Sequence, residues 1–409
     1  MRKKISVDEL VVGMYVTELC GSWMDSPFWR SAFVLSEPKQ ISALQSSKIR
    51  EVWIDVEREA DLPDQVAPRT VQGVHASALE QVAVLEQRPL APVAIADELA
   101  RAAQICGQGR VAVTAMFREA RMGNTVDAKG VGQLVEDIAD SVTRNASALI
   151  SLARLKTADD YTYMHSVAVC AMMIALARQL ALSEADVQAA GVAGLLHDIG
   201  KALLPMDVLN KPGKLTPAEF MIVKTHPVLG FQLLSDSKKP DPMALEVCLQ
   251  HHEKADGSGY PKGLKGTQIS LYAKMGAVCD VYDAITSNRP YKAGWDPAES
   301  MRQMGLWAEG HFDPAVFQAF ARSLGIYPVG SLVRLTSGRI GVVTEQSPGA
   351  LTMPVVKVFY SDKLKQRIKP ETVNLSAPGG SEKISAREDP AKWNFPDLNQ
   401  LWSGLPGKG

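Results

Sequence analysis

Residues 251–261 of this 409-residue chain are HHEKADGSGYP, a run that begins with the adjacent histidines His251 and His252. Five of the seven histidines lie between positions 165 and 252, and one of them, His197, is followed directly by Asp198. Imidazoles that cluster with carboxylates are typical of metal centres, because both groups are ligands of divalent transition metals. We therefore interpret the cluster as a metal site with a chemical function. The other two histidines of the cluster are His165 and His226.

The segment that follows His165 has the spacing of a helix with one apolar face. Apolar residues follow His165 at offsets of 4, 7, 8, 11 and 15, so this histidine points toward the core. A lone inward histidine is usually only hydrogen-bonded, and the case for ligation rests on convergence with other groups. Asp280 lies in the almost wholly apolar run 275–285, where an unpaired carboxylate would be costly to bury. A cation close to Asp280 is therefore implied.

Five imidazoles and the two carboxylates of Asp198 and Asp280 make seven candidate ligands, which is too many for one ion. If Asp198 bridges two ions, each ion takes at most three further groups and shares a water, as in a hydrolytic two-metal centre. The bridging water would lose a proton easily and become the nucleophile. The alternative, five unrelated histidines, is disfavoured by their convergence.

The composition is that of a soluble globular protein, with 46% hydrophobic and 22% charged residues and a net charge of −1. This charge argues against binding of a nucleic acid polymer or an anionic membrane, so an anionic substrate needs a local basic site. Five cysteines without a CxxC pair fit a reducing cytoplasm. The longest apolar run, 167–177, is too short to span a bilayer, and we predict a cytoplasmic protein with no membrane span.

The pattern of polar and apolar residues predicts a mainly α protein of several parts. Short alternating strands at the start indicate a small α+β domain, helical periodicity dominates the middle, and short strands with glycine-bearing turns return after Tyr327-Pro328. The predicted parts are a small α+β N-terminal domain at 1–60, a linker and helix at 61–128, the helical catalytic domain at 129–325, a small β module at 326–376 and a flexible tail at 377–409.

Several motifs in the helical part resemble the HD-GYP branch of the HD metal-dependent phosphohydrolases. They are HDIGK at 197–201, HHEKADGSGYP at 251–261 and DVYDAITS at 280–287, followed by RPY at 289–291. The resemblance spans roughly residues 150 to 325 and implies an all-helical HD-type core. The residues before about 60 also resemble an uncharacterised domain found ahead of some HD-GYP modules.

The resemblance implies hydrolysis of cyclic di-GMP to the linear dinucleotide pGpG and onward to GMP, with iron or manganese as the metal. Carried over residue by residue, it assigns one metal to His165, His197 and Asp280, the other metal to His226, His251 and His252, and the bridging position to Asp198.

The resemblance also implies a set of substrate contacts. Lys201 would contact the scissile phosphate or its leaving oxygen and, with Asp198, would be catalytic. The expected substrate-binding residues are Lys201, Arg289, Lys292, Gly259, Tyr260 and Pro261. Glu253 and Asp256 are expected to order the glycine-rich loop, whose glycines would allow a ligand to approach closely.

One position departs from the family pattern. Some members carry a Glu four residues before the first histidine, where it helps to hold a third metal, whereas this chain has Tyr161 there. We therefore predict a centre of two metals.

Other functions stay open alongside an active phosphodiesterase. One is a cyclic di-GMP receptor or interaction module with little turnover, which would bind a diguanylate cyclase or other signalling protein through residues 259–261. Another is hydrolysis of a different nucleotide by the HD core. A homodimer formed through the helices before residue 155 is a further prediction, and the choice between iron and manganese and between pGpG and GMP stays open.

Overall fold

The chain forms two compact units, residues 1–90 and residues 91–409. The computed structural model describes residues 2–20, 33–35, 38–45, 49–55, 91–124, 128–155, 161–211, 213–237, 240–288 and 294–404.

The first unit is a small α+β structure, as predicted. Its antiparallel sheet has the strand order β1-β4-β2-β3. The fully buried side chains include Val16, Leu44 and Val52, and residues alternate between the core and the surface along β4, as expected for a half-buried strand. The elements are β1 (Arg2–Ser6), β2 (Tyr15–Cys20), β3 (Phe33–Val34), α1 (Pro38–Gln45) and β4 (Glu51–Asp55).

The second unit begins with a helical core, which confirms the mainly α prediction. Helix α4 lies at its centre and packs against α3, α5, α10 and α12. Residues 164–177 of α4 are all buried, so the apolar run at 167–177 is a core helix. The helices are α2 (Ile95–Arg121), α3 (Ala128–Arg154), α4 (Tyr161–Gln179), α5 (Glu184–Leu196), α6 (Met206–Leu209), α7 (Pro217–Val223), α8 (His226–Ser235), α9 (Pro242–Gln250), α10 (Leu271–Thr286), α11 (Pro297–His311) and α12 (Pro314–Leu324).

Side-chain caps fix where several of these helices begin. The Ser183 hydroxyl accepts a hydrogen bond from the amide of Asp186 at the start of α5. Thr216 and Glu219 form a reciprocal capping box at the start of α7. Within the described part of the chain, no helix is both long and apolar enough to cross a membrane.

The second unit ends in an antiparallel sheet with the order β8-β7-β6-β5-β9. Its core contains the buried residues Val333, Val343, Val356 and Val358. The strands are β5 (Leu332–Leu335), β6 (Arg339–Glu345), β7 (Val355–Ser361), β8 (Gln366–Asn374) and β9 (Ile384–Arg387).

Part of the segment predicted as a flexible tail, 377–409, forms regular secondary structure. Strand β9 pairs with β5, and a final helix, α13 (Leu398–Ser403), buries Trp402 to 3% exposure. The sequence is misleading here because a short edge strand is held by backbone hydrogen bonds and needs few apolar residues. The last residues, 405–409, and residues 61–90 and 125–127 of the linker and helix predicted at 61–128 lie outside the described residues.

We expect Trp402→Ala to lower the unfolding free energy by about 3 kcal/mol, because it removes a buried aromatic side chain that packs near Arg154. Thermal denaturation monitored by calorimetry measures the change. Leu364→Ala is the control, since Leu364 is 64% exposed and its loss should leave the midpoint unchanged. Equal midpoints for the two variants would contradict the assignment of α13 to the folded core.

Candidate metal centre

The seven predicted ligands converge on one place, and they lie mostly at helix ends. His197 and Asp198 follow α5, His226 begins α8, and the pair His251-His252 follows α9. His165 lies in the second turn of α4 and Asp280 in the middle of α10. The potential ligand atoms form two groups, each within 4.8 Å, one of His165, His197 and Asp280 and the other of Asp198, His226, His251 and His252.

The carboxylate of Asp198 lies between two sets of imidazoles. Its Oδ2 lies 3.4 Å from Nε2 of His165 and 3.3 Å from Nε2 of His197. Its Oδ1 lies 3.2 Å from Nε2 of His226 and 3.7 Å from Nε2 of His251. The residue is only 1% exposed, and Oδ1 has no hydrogen-bond partner within the described residues. A buried carboxylate oxygen without a donor is costly, so this atom fits a metal ligand.

Backbone carbonyls orient three of the histidines. Because a carbonyl only accepts, each Nδ1 must carry the proton, and a neutral ring then presents the lone pair of Nε2 to the centre. Two such atoms, Nε2 of His226 and Nε2 of His251, lie 3.4 Å apart. Facing lone pairs repel one another, whereas a shared cation would hold both. The pairs are His197 Nδ1 with Gly194 O, His226 Nδ1 with Val223 O, and His251 Nδ1 with Val247 O and Cys248 O.

His165 is oriented by a carboxylate that the sequence analysis missed. Its Nδ1 donates to Asp283 Oδ2 at 2.7 Å, and its Nε2 lies 3.1 Å from Asp280 Oδ1. Burial lowers the pKa of His165, but Asp198, Asp280 and Asp283 outweigh burial and raise the pKa to about 10. The spacing of Asp283, one helical turn after Asp280, could have predicted that both carboxylates lie on one face of α10.

Lys201 is brought to the same carboxylate by a 3-10 turn at Ile199–Leu203. Its Nζ donates to Asp198 Oδ2. Burial raises the pKa of Asp198, yet the charges of Lys201 and His197 hold it well below its usual value. The carboxylate is therefore ionised, which is the state that a bridging ligand requires.

The side of the centre that reaches solvent is formed by His252, Asp280 and Lys201. The His252 side chain is 22% exposed, and its Nδ1 lies 3.7 Å from Asp280 Oδ2. Burial and the neighbouring His251 hold the pKa of His252 well below its usual value, which favours the neutral, ligating ring. These three side chains are more exposed than those of His165, His197, His226 and His251.

The loop after His252 is ordered by its own acidic residues, as predicted. Glu253 accepts from the amides of Lys262 and Leu264 at 2.7 and 2.9 Å. Asp256 accepts from the amide of Ser258 at 2.8 Å. These bonds fix the conformation of the loop at residues 253–264, directly after His252.

The close approach that requires glycine at 259 is to the protein itself. A Cβ on Gly259 would collide with the backbone of Glu253 and Lys254. The next residue, Tyr260, stacks on the ring of His252 with centroids 4.7 Å apart and planes at 28°. Packing within the protein therefore explains the glycine at position 259 without a ligand. Contacts of Gly259, Tyr260 and Pro261 with substrate stay predictions.

The structure does not describe the side chains of three residues to which the sequence assigned a role. Arg289, Lys292 and the side chain of Tyr161 lie outside the described residues. Their assigned roles, two phosphate contacts and the absence of a third metal, stay predictions.

We expect Asp283→Asn to weaken metal binding about tenfold or more, because the amide is a weaker acceptor for Nδ1 of His165 and can turn its NH₂ group toward it. Competition with a chelator of known affinity measures the change. In the control Ser287→Ala, the hydroxyl that donates to Asp283 Oδ1 is lost while the carboxylate remains, so the affinity should change less. Unchanged affinity in Asp283→Asn would remove Asp283 from the centre.

We expect Gly200→Ala to reduce the metal content of the protein, because its Cβ would collide with the carbonyl of His226 and the amide of Gly230 and so displace the start of α8. Elemental analysis of the purified protein measures the loss. Gly132→Ala is the matched control, since its Cβ meets nothing within 4 Å in helix α3. Full occupancy in Gly200→Ala would show that α8 can move without loss of the site.

Comparison with known proteins gives two family matches. The model of the HD domain family matches residues 133–316, and the model of a domain of unknown function, DUF3391, matches residues 2–131. The second match extends beyond the boundary predicted at residue 60 and includes helix α2.

Individual relatives are similar over the whole chain or over its HD part. The cyclic di-GMP phosphodiesterase PA4108 of Pseudomonas aeruginosa is 51% identical over 406 residues, which cover 99% of this chain and 96% of the relative. The cyclic di-GMP phosphodiesterase response regulator RpfG of Xanthomonas campestris is 43% identical, covering 36% of this chain and 39% of RpfG. The 3′3′-cGAMP-specific phosphodiesterase 3 of Vibrio cholerae is 37% identical, covering 41% of this chain and 36% of the relative.

Proposed function

The chain belongs to the HD-GYP branch of the HD-domain metal-dependent phosphohydrolases, and from this premise we propose that it hydrolyses cyclic di-GMP at a centre of two divalent metal ions. The similarity to the Pseudomonas phosphodiesterase over nearly the full length of both chains supports this substrate. The relative specific for 3′3′-cGAMP makes that cyclic dinucleotide the second candidate substrate.

The observation that carries the proposal is the position of Asp198. Each of its oxygens faces a different pair of imidazole Nε2 atoms, and Oδ1 has no hydrogen-bond donor among the described residues. Imidazole and carboxylate donors suit first-row transition metals, and we propose iron or manganese. Two such ions, when bound, would supply Lewis-acid activation of a phosphate oxygen and a hydroxide as nucleophile.

The protein groups around the centre bind and orient the substrate. We propose that the phosphodiester enters beside His252 and Asp280, where the centre reaches solvent, and meets the ammonium group of Lys201. Lys201 would neutralise charge on the phosphate and supply a proton to the leaving oxygen. Formation of pGpG, which carries a 5′-phosphate, breaks the bond between phosphorus and the 3′-oxygen. A second cleavage of pGpG would yield GMP.

Two basic residues, the location of the protein and its partners complete the proposal. Arg289 and Lys292 are proposed to bind phosphate. We propose a cytoplasmic location, which the free thiols of Cys170, Cys248 and Cys279 support. Homodimerisation and binding of a diguanylate cyclase are proposals from the sequence alone.

We expect Asp198→Ala to lose bound metal and phosphodiesterase activity together, by at least a hundredfold in kcat, because the carboxylate shared by the two ligand groups is removed. Anaerobically purified protein is assayed with cyclic di-GMP, with 3′3′-cGAMP as a second substrate, and the products are separated by chromatography. The control is Asp207→Ala, because Asp207 is an exposed acidic residue on α6. Full activity of Asp198→Ala would refute the bridging role, and tight binding of cyclic di-GMP without turnover in metal-replete wild-type protein would favour a receptor instead.

A further inference from the structure

A row of four side chains leads from the metal centre to the surface. Tyr260 stacks on His252, and the ammonium nitrogen of Lys224 lies 5.0 Å from the centroid of the Tyr260 ring. The same nitrogen lies 5.0 Å from the centroid of the Phe220 ring. Phe220 is on the exposed side of α7 and is 45% exposed. The row therefore begins at a candidate ligand and ends in solvent.

The position of Lys224 follows from the local sequence. Phe220 and Lys224 are four residues apart and lie on one face at the end of α7, so the lysine reaches back over the ring. Tyr260 is held opposite by the ordered loop, with its amide donating to the carbonyl of His252 at 3.1 Å. Two independent elements thus place aromatic rings beside one cation.

The ammonium group of Lys224 differs from those of two other lysines in its contacts. Lys201 pairs with Asp198, and Lys211 pairs with Glu219 at 2.7 Å. Within the described part of the chain, the Lys224 ammonium forms no ion pair, and its contacts are the two ring faces. Such an ammonium group can bind an anion without first breaking a salt bridge.

We propose that Lys224 and Phe220 form a subsite for the half of the dinucleotide that is not being hydrolysed. Lys224 binds the second phosphate, and the exposed ring of Phe220 stacks on a purine base. This inference rests on the proposed function, since a cyclic dinucleotide carries two phosphates and two purines while the metal centre and Lys201 act on one phosphate. One face of Tyr260 is covered by His252, which leaves Phe220 the more accessible ring.

Lys224 could instead have a purely structural role, in which its contact with Tyr260 holds α7 against the loop that ends at Pro261. The two roles differ in their effect on a small substrate. Bis(p-nitrophenyl) phosphate contains one phosphodiester and no second phosphate, so it cannot contact Lys224 while its phosphate is at the metal centre. Loss of a structural contact would reduce the hydrolysis of both substrates, whereas loss of the subsite would reduce the selectivity for cyclic di-GMP.

The test measures kcat and KM of the metal-replete enzyme with both substrates. We expect Lys224→Met, which keeps the aliphatic part of the side chain, to raise the KM for cyclic di-GMP about tenfold and to reduce its kcat/KM relative to that of the small diester by a similar factor. Lys224→Arg, which keeps the charge, should restore most of the selectivity. Phe220→Leu should raise the KM for cyclic di-GMP by about tenfold through lost stacking. The control is Lys369→Met, because Lys369 is an exposed lysine on β8.

An unchanged KM for cyclic di-GMP in Lys224→Met and Phe220→Leu, or an equal loss with both substrates, would overturn the subsite. If Lys224→Met does not fold, Phe220→Leu decides, because it changes only an exposed side chain. Titration calorimetry with cyclic di-GMP separates this inference from the proposed function. Binding without hydrolysis in the wild type would contradict the function alone, and the subsite is then judged by a tenfold weaker Kd in Lys224→Met. No binding would overturn both.

Discussion

The buried carboxylate of Asp198 is the constraint on which the centre depends. It is ionised and enclosed, its two oxygens face different histidines, and among the described residues only Oδ2 receives a hydrogen bond, from Lys201. Such a group is unfavourable in a protein interior unless positive charge compensates it. The surrounding helices place imidazoles on both sides of it, with His165 and His197 facing Oδ2 and His226 and His251 facing Oδ1.

The fold brings these groups together through helix ends. His197 and Asp198 directly follow one buried helix, His226 begins another, and the backbone carbonyls of the adjacent turns fix the rings of His197 and His226. The 3-10 turn after Asp198 lies so close to α8 that only glycine fits at position 200. The positions of these candidate ligands are thus set by main-chain packing, and the more exposed side of the centre is formed by His252, Asp280 and Lys201.

The sequence predicted the helical core and the seven candidate ligands because clustered histidines and apolar periodicity are local signals. It did not predict Asp283 as the partner of His165, since that contact joins α10 to α4 across the core. Lys224 was missed for a similar reason, because its aromatic neighbour Tyr260 lies 36 positions away. The order of the C-terminal segment was missed because β9 depends on backbone pairing with a distant strand.

The central claim is that the chain holds two metal ions joined by Asp198, and the number of ions tests it most directly. Elemental analysis of anaerobically purified protein, combined with an accurate protein concentration, gives the number of metal ions per chain. The account predicts two per chain, both iron or manganese, with activity proportional to occupancy. One ion per chain in fully active protein would contradict the bridge, and three would contradict the prediction made from Tyr161.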